Sequence, residues 1–179
     1  MNDGCFMSLT QFLVVALTSL AASAMAAEAP VKLEAGNGVN SVTQAAVASG
    51  VLTCASRINQ VTQFISGTNP SGAALFASPS QPDQQLTSIS MEIAPKEGTS
   101  AYGSASFAPN QANGCGAVYE AIVYWPQNCD IVASKQFASA KKGPLLHKSI
   151  MTLETGSPAR IFLMPAGTGC VSIKKEVLS

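Results

Sequence analysis

Charge is scarce in this sequence. Only 11% of its 179 residues are charged, ten basic against ten acidic, where globular chains average about 25%. A chain this neutral cannot build the basic surface that phosphate neutralisation needs, which excludes nucleic acid as a partner. Histidine is scarcer still, with His147 the only one. Without a second imidazole or a C-x-x-C, the clustered ligands that zinc requires are missing. Aromatics make up 6%, too few and too scattered for a carbohydrate- or base-stacking platform. There is no P-loop, no dinucleotide glycine pattern, no calcium loop and no G-x-S-x-G elbow. No cofactor is implied.

The remaining catalytic candidates fail on geometry. S-x-x-K occurs at Ser139/Lys142 and at Ser172/Lys175. The second pair lies on a predicted strand, where residues three apart point to opposite faces. The first lacks the companion motifs of serine acyl-enzymes. Glu92 and Glu120 sit on predicted strands with nothing to place a cleft between them. His147, beside Lys148 in a lysine-rich loop, reads as solvated.

Long apolar runs are almost absent too, and the one that exists stands at the start. Residues 12–22 form an uncharged stretch of signal-core length, followed by Ala24-Met25-Ala26, the small-x-small pattern of a cleavage site before Ala27. Ala22-Ser23-Ala24 is an alternative site. No Lys or Arg precedes the run and Asp3 is acidic, a departure from the usual basic start that a start at Met7 would soften. The run falls short of the roughly 20 residues of a membrane span, and no later segment approaches one. Cys5 precedes the run and so cannot be a lipoprotein cysteine. Residues 1–26 are therefore expected to be a signal peptide, 27–40 a flexible lead-in, and 41–179 a single domain, periplasmic or secreted. Loss of Asp3 leaves that mature part with one excess positive charge.

What the chain does have is an even set of cysteines after the leader: Cys54, Cys115, Cys129 and Cys170. In an exported chain these read as two disulfides. A strand over 117–125 would hold Cys115 and Cys129 on the order of 30 Å apart, beyond the roughly 7 Å a disulfide allows. That makes the 115–129 pairing the least favoured; 54–115 with 129–170, and 54–129 with 115–170, both stay open.

The periodicity is equally informative. Val47, Val51, Cys54, Ile58, Val61 and Ile65 recur at helical spacing, predicting an amphipathic helix over about 41–66 with Ser41/Gln44 as capping box, Gly67 as stop and either a kink or close packing at Gly50. Residues 67–85, rich in Pro, Ser, Gly and Gln, read as a long loop whose Leu75 and Phe76 either tuck against the core or form a partner-binding tip. Beyond residue 86 the period is two. Strands are expected near 86–93, 101–107, 117–125, 149–154, 160–164 and 171–177, with 130–137 ambiguous between strand and helix. The 117–125 segment is apolar on both faces, as for a central strand covered on both sides. Two segments rhyme, 108–115 and 164–170, each running strand, proline, polar loop, Gly-Cys, strand; the plain reading is two turns stapled at their exits.

The fold expected is α+β, an N-terminal amphipathic helix on a five- to six-stranded, mainly antiparallel sheet stapled by two disulfides. The function expected is non-catalytic: an exported accessory, inhibitor or ligand-binding protein, whose partner is a protein or small ligand in the envelope or medium. A hydrolase without a readable motif and a structural component of an envelope complex are the alternatives. Lys135, Lys141, Lys142, His147 and Lys148, in a stretch without acids between Asp130 and Glu154 where Ala140-Lys141-Lys142-Gly143 reads as a loop, and Leu75 with Phe76 are the candidate partner contacts. The sequence carries no signal for oligomeric state.

Overall fold

The computed structural model describes residues 38–110 and 114–178. The expected leader and residues 27–37 of the expected lead-in lie outside the described residues. The chain runs α1 (Ser41–Ala48), α2 (Ala55–Ser66), β1 (Ser71–Phe76), a 3-10 turn (Pro82–Gln84), β2 (Thr87–Ile93), β3 (Ala101–Asn110), β4 (Gly114–Trp125), α3 (Cys129–Gln136), β5 (Lys141–Leu145), β6 (Met151–Glu154), β7 (Arg160–Ala166) and β8 (Gly169–Leu178). The fold is α+β, but the sheet has eight strands where five or six were expected, and three helices stand where one was expected.

The single helix over 41–66 is two helices. Gly50 sits at φ +87°, a backbone state that only glycine adopts cheaply, and the chain leaves helical geometry until Ala55. Val51 and Cys54 stay buried, but Val47, expected on the same stripe, is 42% exposed, and α1 buries Thr43 and Ala46 instead, so the stripe does not carry through the break. The capping residue of α1 is Asn40, not Ser41: its Oδ1 accepts from the Thr43 N–H at 2.9 Å. Its Nδ2 donates to Thr62 Oγ1 at 2.7 Å, and its N–H donates to Asn59 Oδ1 at 3.0 Å. One side chain thus starts α1 and ties it to α2.

The expected 67–85 loop contains β1 and the 3-10 turn. Asp83 on that turn accepts the N–H groups of Leu52 and Thr53, at 2.6 and 2.5 Å, and the Thr53 hydroxyl at 2.9 Å. These bonds hold its carboxyl below the ordinary range and pin the connection to the approach to α2. The ambiguous 130–137 stretch is helix α3, capped by Asn128 Oδ1 on the Ile131 N–H at 3.0 Å. The expected loop at Lys141-Lys142-Gly143 is edge strand β5.

The sheet order is β1-β2-β3-β4-β8-β7-β6-β5, antiparallel throughout. This arrangement is twofold-like. Each half is a helix followed by four strands, and the fourth strands, β4 and β8, meet in the middle. In one half Pro109 on the third strand lies opposite Cys115 on the fourth; in the other Pro165 lies opposite Cys170. Cys115 bonds Cys54, just before α2, and Cys170 bonds Cys129, which opens α3, with Cα atoms 5.1 and 5.0 Å apart. The rhyming segments are therefore the same structural position in two equivalent halves. Their stapled turns each bind a helix to its own fourth strand.

Register fixes which side chains share a face. Ile89, Met91, Ala105, Phe107, Ala117 and Tyr119 face the same way as Ile161, Leu163 and Leu153. The first set packs with Val51, Ile58 and Val61 beneath α1 and α2, the second with Val132 and Ala133 beneath α3. All three helices thus lie on one face. Gly103 lets α2 approach β3 closely, since a Cβ there would stand 2.7 Å from Ile65 Cγ2.

Candidate functional site

On the helix-bearing face, each half's main helix sits on its own third and fourth strands: α2 on β3 and β4, α3 on β7 and β8. A gap is left between them over the centre of the sheet. The floor under that gap is built of small side chains, Ala101 and Ala121, with Val123 beside them. A cavity of about 590 Å³ opens there, within the usual range for small-molecule sites of roughly 300–1,000 Å³. Ile65 and Ile93 form one apolar wall and Trp125 the far end, while Asn69, Glu97, Thr99, Gln127 and Gln136 supply a polar rim. Trp125 is oriented by its own hydrogen bond, Nε1 donating to Ser172 Oγ at 2.8 Å.

Along the edge of α2 a second, smaller cavity of about 220 Å³ lies among Gln60, Val61, Phe64, Tyr119, Glu176 and Leu178. Tyr119 is 1% exposed and donates to Glu176 Oε2 at 2.6 Å. Burial, then the adjacent carboxylate, pushes its phenol well above the ordinary value. It stays a neutral donor at any physiological pH. Phe64 meets Tyr119 edge-on at 5.6 Å. Lys174 lies over both rings, 5.0 Å from the Phe64 centroid and 5.7 Å from that of Tyr119. It stands directly across from Ala121 on the cavity floor. Its ammonium lies over the rings beside the smaller cavity, and no carboxylate lies within ion-pair distance of it among the described residues.

The candidate contacts named from sequence lie elsewhere and are not brought together. Lys135 is in the last turn of α3, Lys141 and Lys142 are on edge strand β5, and His147 and Lys148 follow in the β5–β6 turn. Lys142 pairs with Asp130 at 3.4 Å, both well exposed, a contact of little energetic weight. Leu75 and Phe76 are on β1, the opposite edge of the sheet. They form a strand and not a loop tip: Leu75 packs on the core and Phe76 is 59% exposed. Glu120 is paired with Lys175 at 2.7 Å on the face without helices. Among the described residues no three His, Cys, Asp or Glu side chains gather where they could hold a metal ion, and no helix is long and apolar enough to cross a membrane.

The cavity residues escaped sequence reasoning because they come from five elements and three connections. One signal was available. Trp125, the only tryptophan, ends a strand that is apolar on both faces. No protein-family model, curated protein or solved structure matches the chain.

Proposed function

We propose that this is an exported, non-catalytic binding protein that takes a small amphiphile with an acidic head in the trough between α2 and α3. The observation that carries this reading is the cavity over Ala101, Ala121 and Val123, walled by Ile65 and Ile93 and edged by polar side chains, with Lys174 opposite Ala121 in the β4–β8 register. The apolar tail of such a ligand would lie on the small-residue floor against Trp125. Its carboxylate would be directed toward Lys174, on β8 opposite Ala121, and away from Glu97 on the rim. The trough is built on β2, β3 and β4 and the end of α2, with Gln136 at the end of α3 closing it from the second half. Export and a cleaved leader fit the two disulfides, which form in oxidising compartments.

Trp125 supplies the assay. Emission is expected to change saturably when dodecanoate is titrated into the purified, disulfide-intact protein, and less readily with dodecanol. Ala121→Phe is expected to fill the floor and abolish both responses. Lys174→Met is expected to weaken dodecanoate by roughly tenfold, the worth of one charge-assisted hydrogen bond, and to leave dodecanol unchanged. No saturable response to either amphiphile would rule the proposal out.

A further inference from the structure

The helices cover one face of the sheet, and among the described residues no element covers the other. Antiparallel strands with one bare face normally alternate apolar inward and polar outward. Here the middle of the bare face breaks that rule. Register places Tyr124, Val171 and Met164 in one row across β4, β8 and β7. A second row holds Tyr102, Ile122, Ile173 and Phe162. A further row places Val118 beside Val177, which is 67% exposed. Between the second and this last row runs a line of charge: Glu120, Lys175, Arg160 and Glu154, joined by ion pairs at 2.7 and 3.0 Å. On β8 the apolar residues Val171, Ile173 and Val177 all point to this bare side, while Ser172, Lys174 and Glu176 point under the helices.

We infer that this bare face is the self-association surface of the protein, two copies stacking sheet on sheet. Charge complementarity selects a second copy. Glu120 and Lys175 are directly opposed across the β4–β8 seam, where the two halves meet. A twofold axis parallel to the strands above that seam sets each Glu120 over the other copy's Lys175, and each Lys175 over the other's Glu120. The four charges close into one network, flanked on both sides by the apolar rows. Such aligned sheets pack about 10 Å apart, rotated by roughly 30°. Area suffices as well. Eight strands at about 4.8 Å spacing and seven residues at about 3.3 Å rise give a face of roughly 34 Å by 23 Å. That matches the roughly 800 Å² per partner of a standard stable interface.

Sedimentation of the purified protein tests this. The wild type is expected at twice the monomer mass across micromolar concentrations. Glu120→Lys gathers four positive charges at the seam and Lys175→Glu gathers four negative ones, so each variant alone is expected to be monomeric. Mixed together, the two are expected to restore the doubled mass as a heterodimer, because every charge again meets its opposite. Circular dichroism confirms that each variant is folded, and restoration on mixing does so independently. A monomeric wild type, single variants that stay dimeric, or a mixture of folded variants that stays monomeric would each overturn the inference. A wild-type monomer that docks a different protein on this face counts against it in the same way.

Discussion

At the scale of single residues, the close approaches are where substitution is most revealing. Gly169 opens β8 where that strand passes the end of β4, and a Cβ there would stand 2.4 Å from the Trp125 carbonyl oxygen. Gly169→Ala must displace backbone, so we expect a loss of about 2–3 kcal/mol in urea unfolding. Thr87 makes the opposite case. It is 1% exposed and its Oγ1 has no hydrogen-bond partner, while an unpaired buried hydroxyl costs about 1–3 kcal/mol. Thr87→Val keeps the shape and removes the orphan group; the unfolding midpoint is expected to hold or rise. Neither residue could be singled out from the sequence. Thr87 begins a strand where β-branched residues are ordinary, and the crowding at Gly169 comes from Trp125, whose distance only the β4–β8 register sets. Cys54, Cys115, Cys129 and Cys170 were legible, because thiols in an even set carry their chemistry with them. Of the open pairings the fold selects 54–115 with 129–170, since 130–137 is a helix that starts beside β8.

At the scale of elements, regularity was read well where packing reinforces periodicity and poorly where it does not. The apolar spacing runs through Gly50 in the sequence, but the break there changes the phase, so that Ala46 is buried on α1 and Val47 is not. Edge strands β1 and β5 were missed for a related reason. Ser71–Phe76 lacks β-branched residues, and Lys141–Leu145 carries two lysines, a glycine and a proline. Strand membership at an edge is set by the neighbour it pairs with more than by propensity, and lysine and proline are common guards of such edges. Joints between elements give two tests. Removing Cys129 and Cys170 together releases a 41-residue separation, and chain entropy sets the expected loss near 4 kcal/mol. Asp83 gives a pH test. Its carboxyl is lowered on folding, so its contribution is fully present above the unfolded carboxylate pKa and lost as pH falls through the folded one. Melting curves of wild type and Asp83→Asn are expected to differ at neutral pH and to converge in acid.

At the scale of the whole molecule, the two faces of one sheet differ: the helices pack on one, and none of the described elements covers the other. The helix-bearing face holds the trough, and its depth follows from small residues at the centre with helices to either side. The expected class, α+β with an antiparallel sheet and two disulfides, was accessible from period and cysteine count. The twofold-like layout was not, although the Pro–Gly-Cys rhyme at 108–115 and 164–170 was its trace. Two halves with this little sequence in common share a topology and a staple, and only coordinates superpose them. The expectation that 117–125 is covered on both sides is met on one side only: helices cover that side, and among the described residues nothing covers the other, which presents Val118, Ile122 and Tyr124 outward.

The central claim is that ligand enters between α2 and α3 over β3 and β4. Amide chemical-shift mapping of the isotope-labelled, disulfide-intact protein during titration with dodecanoate tests this most directly. We expect the shifts to gather at Ile65, Ala101, Ala121, Val123, Trp125, Gln136 and Lys174, with Ile122, Ile173 and Phe162 on the reverse face little changed. Shifts gathered on the reverse face, or none above those of a non-binding control, would contradict it.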